Sequence, residues 1–210
     1  MRGRVTRILL TGVAAATAIV LGAGQASADP ITPSSWTASP GGLVNGTAGQ
    51  TVLNDVDSGT QLTCDSSTAT NAVVETSATG SPARLVTLPQ GSIGFQNCSG
   101  PFGLTFDVEQ VGDWHLNGET FDPVTGVTSG LLADIEANLT GFSCDATVTG
   151  SLTGSYDNNT GVLTGLPTPT LTISRVDPNN NCFGLISEGD HSTFDGAYSI
   201  SPHQTITGVA

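Results

Sequence analysis

The sequence predicts an all-β protein, an antiparallel β-sandwich with a closed β-barrel as the alternative. Short Thr, Val, Ile and Leu stretches alternate with Gly, Asn, Asp and Pro punctuation along most of the 210 residues, which is the pattern of strands joined by turns. No segment holds an apolar period of 3.6 residues, and 27 glycines among abundant Ser and Thr disfavour long helices. Small residues are many and aromatics few, so the core is thin per residue and covalent bridges are expected to reinforce it.

The chain opens with Arg2, Arg4 and Arg7, then an almost uncharged apolar run from Ile8 to Ala23, then Ala26-Ser27-Ala28 before Asp29-Pro30. This order of basic region, apolar region and small-residue junction predicts a signal peptide over 1–28, cleaved between Ala28 and Asp29. The apolar run is short and rich in Ala, Gly and Thr, whereas a membrane-spanning helix needs roughly 20 strongly apolar residues. Residues 29–210 are then expected to be secreted to the extracellular medium as one disulfide-bonded domain without a transmembrane segment. They keep Arg84 and Arg175 and no lysine against 18 acids, a net charge of −16. Such a chain repels phosphate backbones, so nucleic acid is excluded as a partner.

After a Pro/Ser-rich start, the clearest strand is Leu131–Leu139. Ile135, Ala137 and Leu139 share one face and Asp134, Glu136 and Asn138 the other, the period of two expected when one face is core and the other water. From Phe142 to Leu152 the alternation continues through Cys144, Ala146 and Val148 on the apolar side. Turns are expected at Asp122–Gly126, Asp157–Gly161 and Asp177–Asn181, where Asp, Asn and Gly accept left-handed backbone geometry and Pro presets the first turn residue.

Four cysteines in an exported chain imply two disulfides, for which three connectivities exist on paper. An internal echo selects among them. Cys64-Asp65 and Cys144-Asp145 each precede a Ser/Thr/Ala run; Cys98 leads to Phe102-Gly103-Leu104 and Cys182 directly to Phe183-Gly184-Leu185; Thr105-Phe106-Asp107 and Thr193-Phe194-Asp195 follow. The expected pairs are Cys64–Cys98 and Cys144–Cys182, with an internal duplication into halves 36–125 and 126–210. No C-x-x-C spacing and no histidine at ligand spacing support a metal role for them.

Ser35-Trp36-Thr37-Ala38-Ser39-Pro40-Gly41-Gly42, Gln61-Leu62-Thr63-Cys64-Asp65-Ser66-Ser67, Asn97-Cys98-Ser99-Gly100-Pro101-Phe102-Gly103-Leu104-Thr105-Phe106, Cys182-Phe183-Gly184-Leu185-Ile186 and Phe194-Asp195-Gly196-Ala197-Tyr198 carry a resemblance. Together they resemble a family of small secreted actinobacterial proteins with four cysteines and no assigned activity. The resemblance implies export and a compact β domain, and it carries over no catalytic residue.

The search for chemistry is correspondingly sparse. No G-x-S-x-G elbow, no H-E-x-x-H helix and no glycine-rich phosphate loop with its lysine occurs, so no cofactor is expected. Asp107 and Glu109 sit two apart near Trp114, a carboxylate pair that could serve a secreted carbohydrate hydrolase. Glu188, Asp190 and Asp195 concentrate oxygen ligands of the kind calcium prefers without matching an EF-hand loop, and no metal is expected. Trp36 and Trp114 read as core anchors. The leading expectation is a non-enzymatic module for an extracellular or envelope ligand; the rivals are the hydrolase and a pore-forming oligomer.

Overall fold

The computed structural model describes residues 29–210; the expected leader 1–28, with Ala28 of its cleavage junction, lies outside the described residues. The described chain is all-β. Its first strands are β1 (Ser35–Ser39), β2 (Gly42–Ala48), β3 (Thr51–Asp55), β4 (Gln61–Cys64), β5 (Ser66–Val74), β6 (Ser77–Thr79), β7 (Ala83–Leu88), β8 (Ile93–Gln96) and β9 (Cys98–Ser99). Then come β10 (Thr105–Gln110), β11 (Trp114–Asp122), β12 (Val127–Gly141), β13 (Cys144–Asp157), β14 (Val162–Gly165), β15 (Leu171–Asn181), β16 (His191–Asp195), β17 (Ala197–Ser201) and β18 (Thr205–Val209). Two short 3₁₀ turns, Pro101–Gly103 and Cys182–Gly184, are the only helical segments among the described residues.

Every ladder is antiparallel, and the pairings close on themselves in two circuits. One passes from β12 through β11, β7, β5, β2, β17, β14 and β13 back to β12. The other passes from β12 through β13, β15, β16, β3, β4, β9 and β10 back to β12. Closure leaves few unpaired strand edges, and exposed edges are where β proteins aggregate. The circuits share the long β12/β13 hairpin, and β12 serves both because it changes neighbour along its length. Its first half pairs with β11 and its second with β10. A bulge between Leu132 and Ile135 marks the changeover, with Asp134 in the left-handed region at φ 60°, which a short polar side chain tolerates best.

The period of two is realised where the sequence shows it. On β12, Ile135, Ala137 and Leu139 are buried while Asp134 and Glu136 are exposed. On β13, Cys144, Ala146 and Val148 are buried. Turns fall at Asp122–Gly126 and Asp157–Gly161, where the first aspartate caps backbone N–H groups of the turn. Asp177–Asn181 departs from expectation, because it joins no two strands and instead forms a bulge within β15. Val176 pairs with Ala146 and Asn181 with Cys144, so the residues between them crowd against one residue of β13. Asp177 still accepts the N–H groups of Asn179 and Asn180, so the local turn chemistry is present but the strand continues through it.

Both expected disulfides form, Cys64–Cys98 and Cys144–Cys182, and no described cysteine is free. The Phe-Gly-Leu echo is also an echo of conformation. Phe102 (φ 60°, ψ 16°) and Phe183 (φ 56°, ψ 20°) are both left-handed, and the N–H of Leu104 or Leu185 closes the turn onto the carbonyl of Pro101 or Cys182. Strands from 36–125 and 126–210 nevertheless interleave in both circuits.

A small sheet, in the order β18, β1, β6, caps the end of the β12/β13 hairpin where Val127 meets Asp157. Phe121 at that end pairs with Ile31, and Asn158 donates to the carbonyl of Ile206 at 2.7 Å. Trp36 on β1 is 1 % exposed, and its indole Nε1 donates to the carbonyl of Gly80 at 2.9 Å. Gly118 is the seat of this ring: a Cβ there would stand 2.6 Å from Leu85 Cδ1 and 3.0 Å from Trp36 Cη2.

Candidate functional site

The interior of the ring-like sheet contains an apolar cavity of about 200 Å³. Its wall includes Val44, Leu85, Trp114, Leu152 and Ile200, from strands on all sides of the first circuit, and extends to Leu53 and Phe194 of the second. Small side chains create the space. Gly46, Ala69, Ala72, Ala137 and Gly196 line it at positions where a denser core would carry larger groups. A Cβ at Gly46 would lie 3.2 Å from Ile200 Cδ1, so a larger residue at that strand crossing would press on Ile200.

No Asp, Glu, His, Lys or Arg lines this cavity. Polar groups do reach it, and most are satisfied. Ser67 donates to the Tyr198 hydroxyl at 2.7 Å, and the Tyr156 hydroxyl donates to the carbonyl of Gln204 at 2.7 Å. Burial pushes both tyrosine phenols above their usual value, with the bond from Ser67 partly offsetting the rise at Tyr198. Two hydroxyls of the wall are different. Thr51 Oγ1 and Thr128 Oγ1 are buried without a hydrogen-bond partner among the described residues. A buried hydroxyl left without a partner is costly, and few are found in native structures.

The carboxylates singled out in the sequence are elsewhere. Asp107 and Glu109 lie on the exposed face of β10, while Val108 between them points inward and lines the cavity. Trp114 is buried in the cavity wall, with Nε1 donating to the carbonyl of Glu136 at 3.2 Å, so it offers no exposed platform beside the pair. His115 instead meets Asp134 at 2.8 Å across β11 and β12. Of the calcium candidates, Asp190 caps its own turn by accepting the N–H of Ser187 at 2.7 Å, and Asp195 sits in the β16 ladder opposite Val52. Glu188, Asp190 and Asp195 form no ligand cluster: among the described residues no group of three His, Cys, Asp or Glu side chains could hold a metal.

Sequence reasoning missed Thr51 and Thr128, because threonine is abundant and only the closure of the sheet distinguishes these two. No helix among the described residues is long and apolar enough to cross a membrane. No family model matches the chain, and neither a curated protein nor a solved structure matches it.

Proposed function

We propose that this chain is a secreted, non-enzymatic binding module of the extracellular space whose ligand is a small, mostly apolar molecule held inside the ring-like sheet. The single observation that carries the reading is the cavity of about 200 Å³ with an apolar wall. Protein interiors are close-packed, with few voids larger than a water molecule. A ligand that fills such a space and binds only the folded chain stabilises it. Cavities of about 150 Å³ accept benzene, so this one suits a ligand of about eight non-hydrogen atoms. Thr51 and Thr128 provide hydroxyls for an oxygen on such a ligand.

Two disulfides and the expected leader support an extracellular address. The outer face of β12 carries Asp134 and Glu136, which supports a water-facing wall and not a lipid-facing one. The absence of charged groups from the cavity wall supports binding over catalysis.

Thermal unfolding of the oxidised protein with toluene, 1-hexanol and hexanoate tests the proposal. 1-Hexanol is expected to raise Tm in a saturable way and hexanoate to have little effect, since its charge has no partner in the cavity. Ala137→Leu, which adds volume to the wall, is expected to raise the ligand-free Tm and abolish the response. Equal responses in both proteins, or none to any ligand, would sink the idea.

A further inference from the structure

A second pair of buried polar atoms lies outside the main cavity wall. Asp55 on β3 is 3 % exposed, and its register partner on β16, Ser192, is fully buried. Asp55 Oδ1 is engaged, accepting the N–H groups of Asp57 and Ser58 at 2.9 Å each. Asp55 Oδ2 and Ser192 Oγ have no hydrogen-bond partner among the described residues. Both residues line a separate cavity of about 40 Å³ whose remaining wall is largely apolar, with Leu62, Phe106, Ile173, Leu185 and Ile186 prominent, and which reaches the exposed Gln61.

The two echoed turns frame this cavity. Gly100 and Pro101 come from the first, Cys182 and Leu185 from the second, and Thr60 Oγ1 ties the second turn to β3–β4 by donating to the carbonyl of Leu185 at 2.7 Å. Next to these wall residues in sequence, Phe102 and Phe183 are exposed in left-handed backbone, a conformation disfavoured for a bulky L residue. Strain of this kind gathers at ligand sites.

The chemistry of the pocket narrows its occupant. A carboxylate oxygen beside a hydroxyl in an apolar wall calls for a hydrogen-bond donor, preferably a cation. A divalent metal wants six or more oxygens, and no such set of side chains is assembled there. A primary ammonium brings positive charge, three donors and an apolar stem. The volume exceeds the 10–15 Å³ or so that one water requires, leaving room for the first methylenes. A strongly acidic chain also concentrates cations around itself, and exposed phenyl faces attract them.

We infer that this pocket binds the alkylammonium group of a small primary amine, its nitrogen between Asp55 Oδ2 and Ser192 Oγ and its alkyl stem against Ile173 and Leu185. The pocket shares Leu53, Leu62 and Leu139 with the main cavity, but Asp55 and Ser192 do not line that cavity, so the inference stands or falls without the proposal made for it. The test is a titration of the isotope-labelled, oxidised protein with butylammonium chloride, following the backbone amides of Asp57, Ser58 and Ser192. Potassium chloride, 1-butanol and a lysine-containing peptide serve as parallel titrants. Butylammonium is expected to give saturable shifts confined to the pocket. Asp55→Asn keeps the Oδ1 acceptor of the turn and removes the charge; it is expected to weaken binding by about tenfold or more, the loss typical of a charged hydrogen bond. Ser192→Ala is expected to weaken it severalfold, and it decides alone if Asp55→Asn does not fold. The inference is overturned by any of four results: no saturable shift with butylammonium, equal affinity for potassium or butanol, tighter binding of the peptide than of butylammonium, or unchanged affinity in Ser192→Ala.

Discussion

The two ends of the β12/β13 hairpin are finished by opposite means. At the Val127/Asp157 end a three-stranded cap buries Trp36 and Phe121, and its polar atoms are paired: the Trp36 indole with Gly80, and the Gln204 side chain with Gly41 N–H and the Pro202 carbonyl. At the Gly141/Cys144 end two disulfides hold turns that leave Phe102 92 % and Phe142 74 % exposed, with Phe142 stacked on Phe183 at 6.1 Å. Beneath those turns lie Asp55 Oδ2 and Ser192 Oγ without partners. The capped end is organised for stability by side-chain packing. The other end keeps exposed aromatics and a buried carboxylate oxygen without a partner, where the capped end leaves one buried hydroxyl, Thr128 Oγ1, and covalent bonds hold that other end in place.

That contrast breaks first at Trp36. Trp36→Ala removes the largest fully buried side chain and leaves the Gly80 carbonyl without its donor, so chemical denaturation should show a loss of about 3–5 kcal/mol. Binding of butylammonium at the far end should survive under conditions where the variant is folded. The disulfides come next. They close loops of similar length, with separations of 34 and 38 residues, so replacing either cysteine pair by alanine should cost about 4 kcal/mol on the chain-entropy account. Loss of Cys144–Cys182 should also blur the amine pocket, which that bridge lines, whereas Trp36→Ala should not. Equal damage to the pocket by both variants would erase the distinction between the ends.

The smallest expected effect is in the pH dependence. Tyr198 and Tyr156 are held in their neutral form by burial, with phenols raised above the usual 10.0. In the unfolded chain they ionise first, so their contribution is complete below pH 10 and fades as pH rises beyond it. Asp57, Asp122 and Asp157 shift the other way. Asp57 is held below the usual 3.8 first by the backbone N–H of His191, Asp122 by the Thr125 hydroxyl and Asp157 by the N–H of Asn159. Their contribution is present above about pH 4 and is lost as pH falls through the depressed values. Asp57 is exposed and Asp122 and Asp157 only half-buried, and their shifts come first from hydrogen bonds, whereas loss of water dominates at both tyrosines; the alkaline limb should therefore be the steeper in a Tm profile, and Tyr198→Phe should flatten it.

What could be read ahead of the structure was local. Ile135, Ala137 and Leu139 declared their face because alternation needs only a strand and a core. Asp122–Gly126 and Asp157–Gly161 declared their turns because Asx chemistry acts within four residues. At Asp177–Asn181 the same chemistry misled: the side chain caps its neighbours as expected, but pairing of β15 with β13 on both sides carries the strand through as a bulge. The carboxylates at 107 and 109 were visible as a pair on one face, and the same alternation put Val108 on the core side, where it lines the cavity; that a cavity lies there was not legible.

The sequence by itself determined the all-β class, the acidic composition, the two bridges and the echoed Phe-Gly-Leu segments that follow them, since composition, alternation and a local echo act over short separations. Tertiary structure decided that β12 and β13 belong to two circuits, that small residues from distant strands leave a cavity between them, and which few of many Thr, Ser and Asp side chains face inward without a partner. Those outcomes depend on strand order and register across the whole chain, and register is a property of pairs of segments that no single segment encodes.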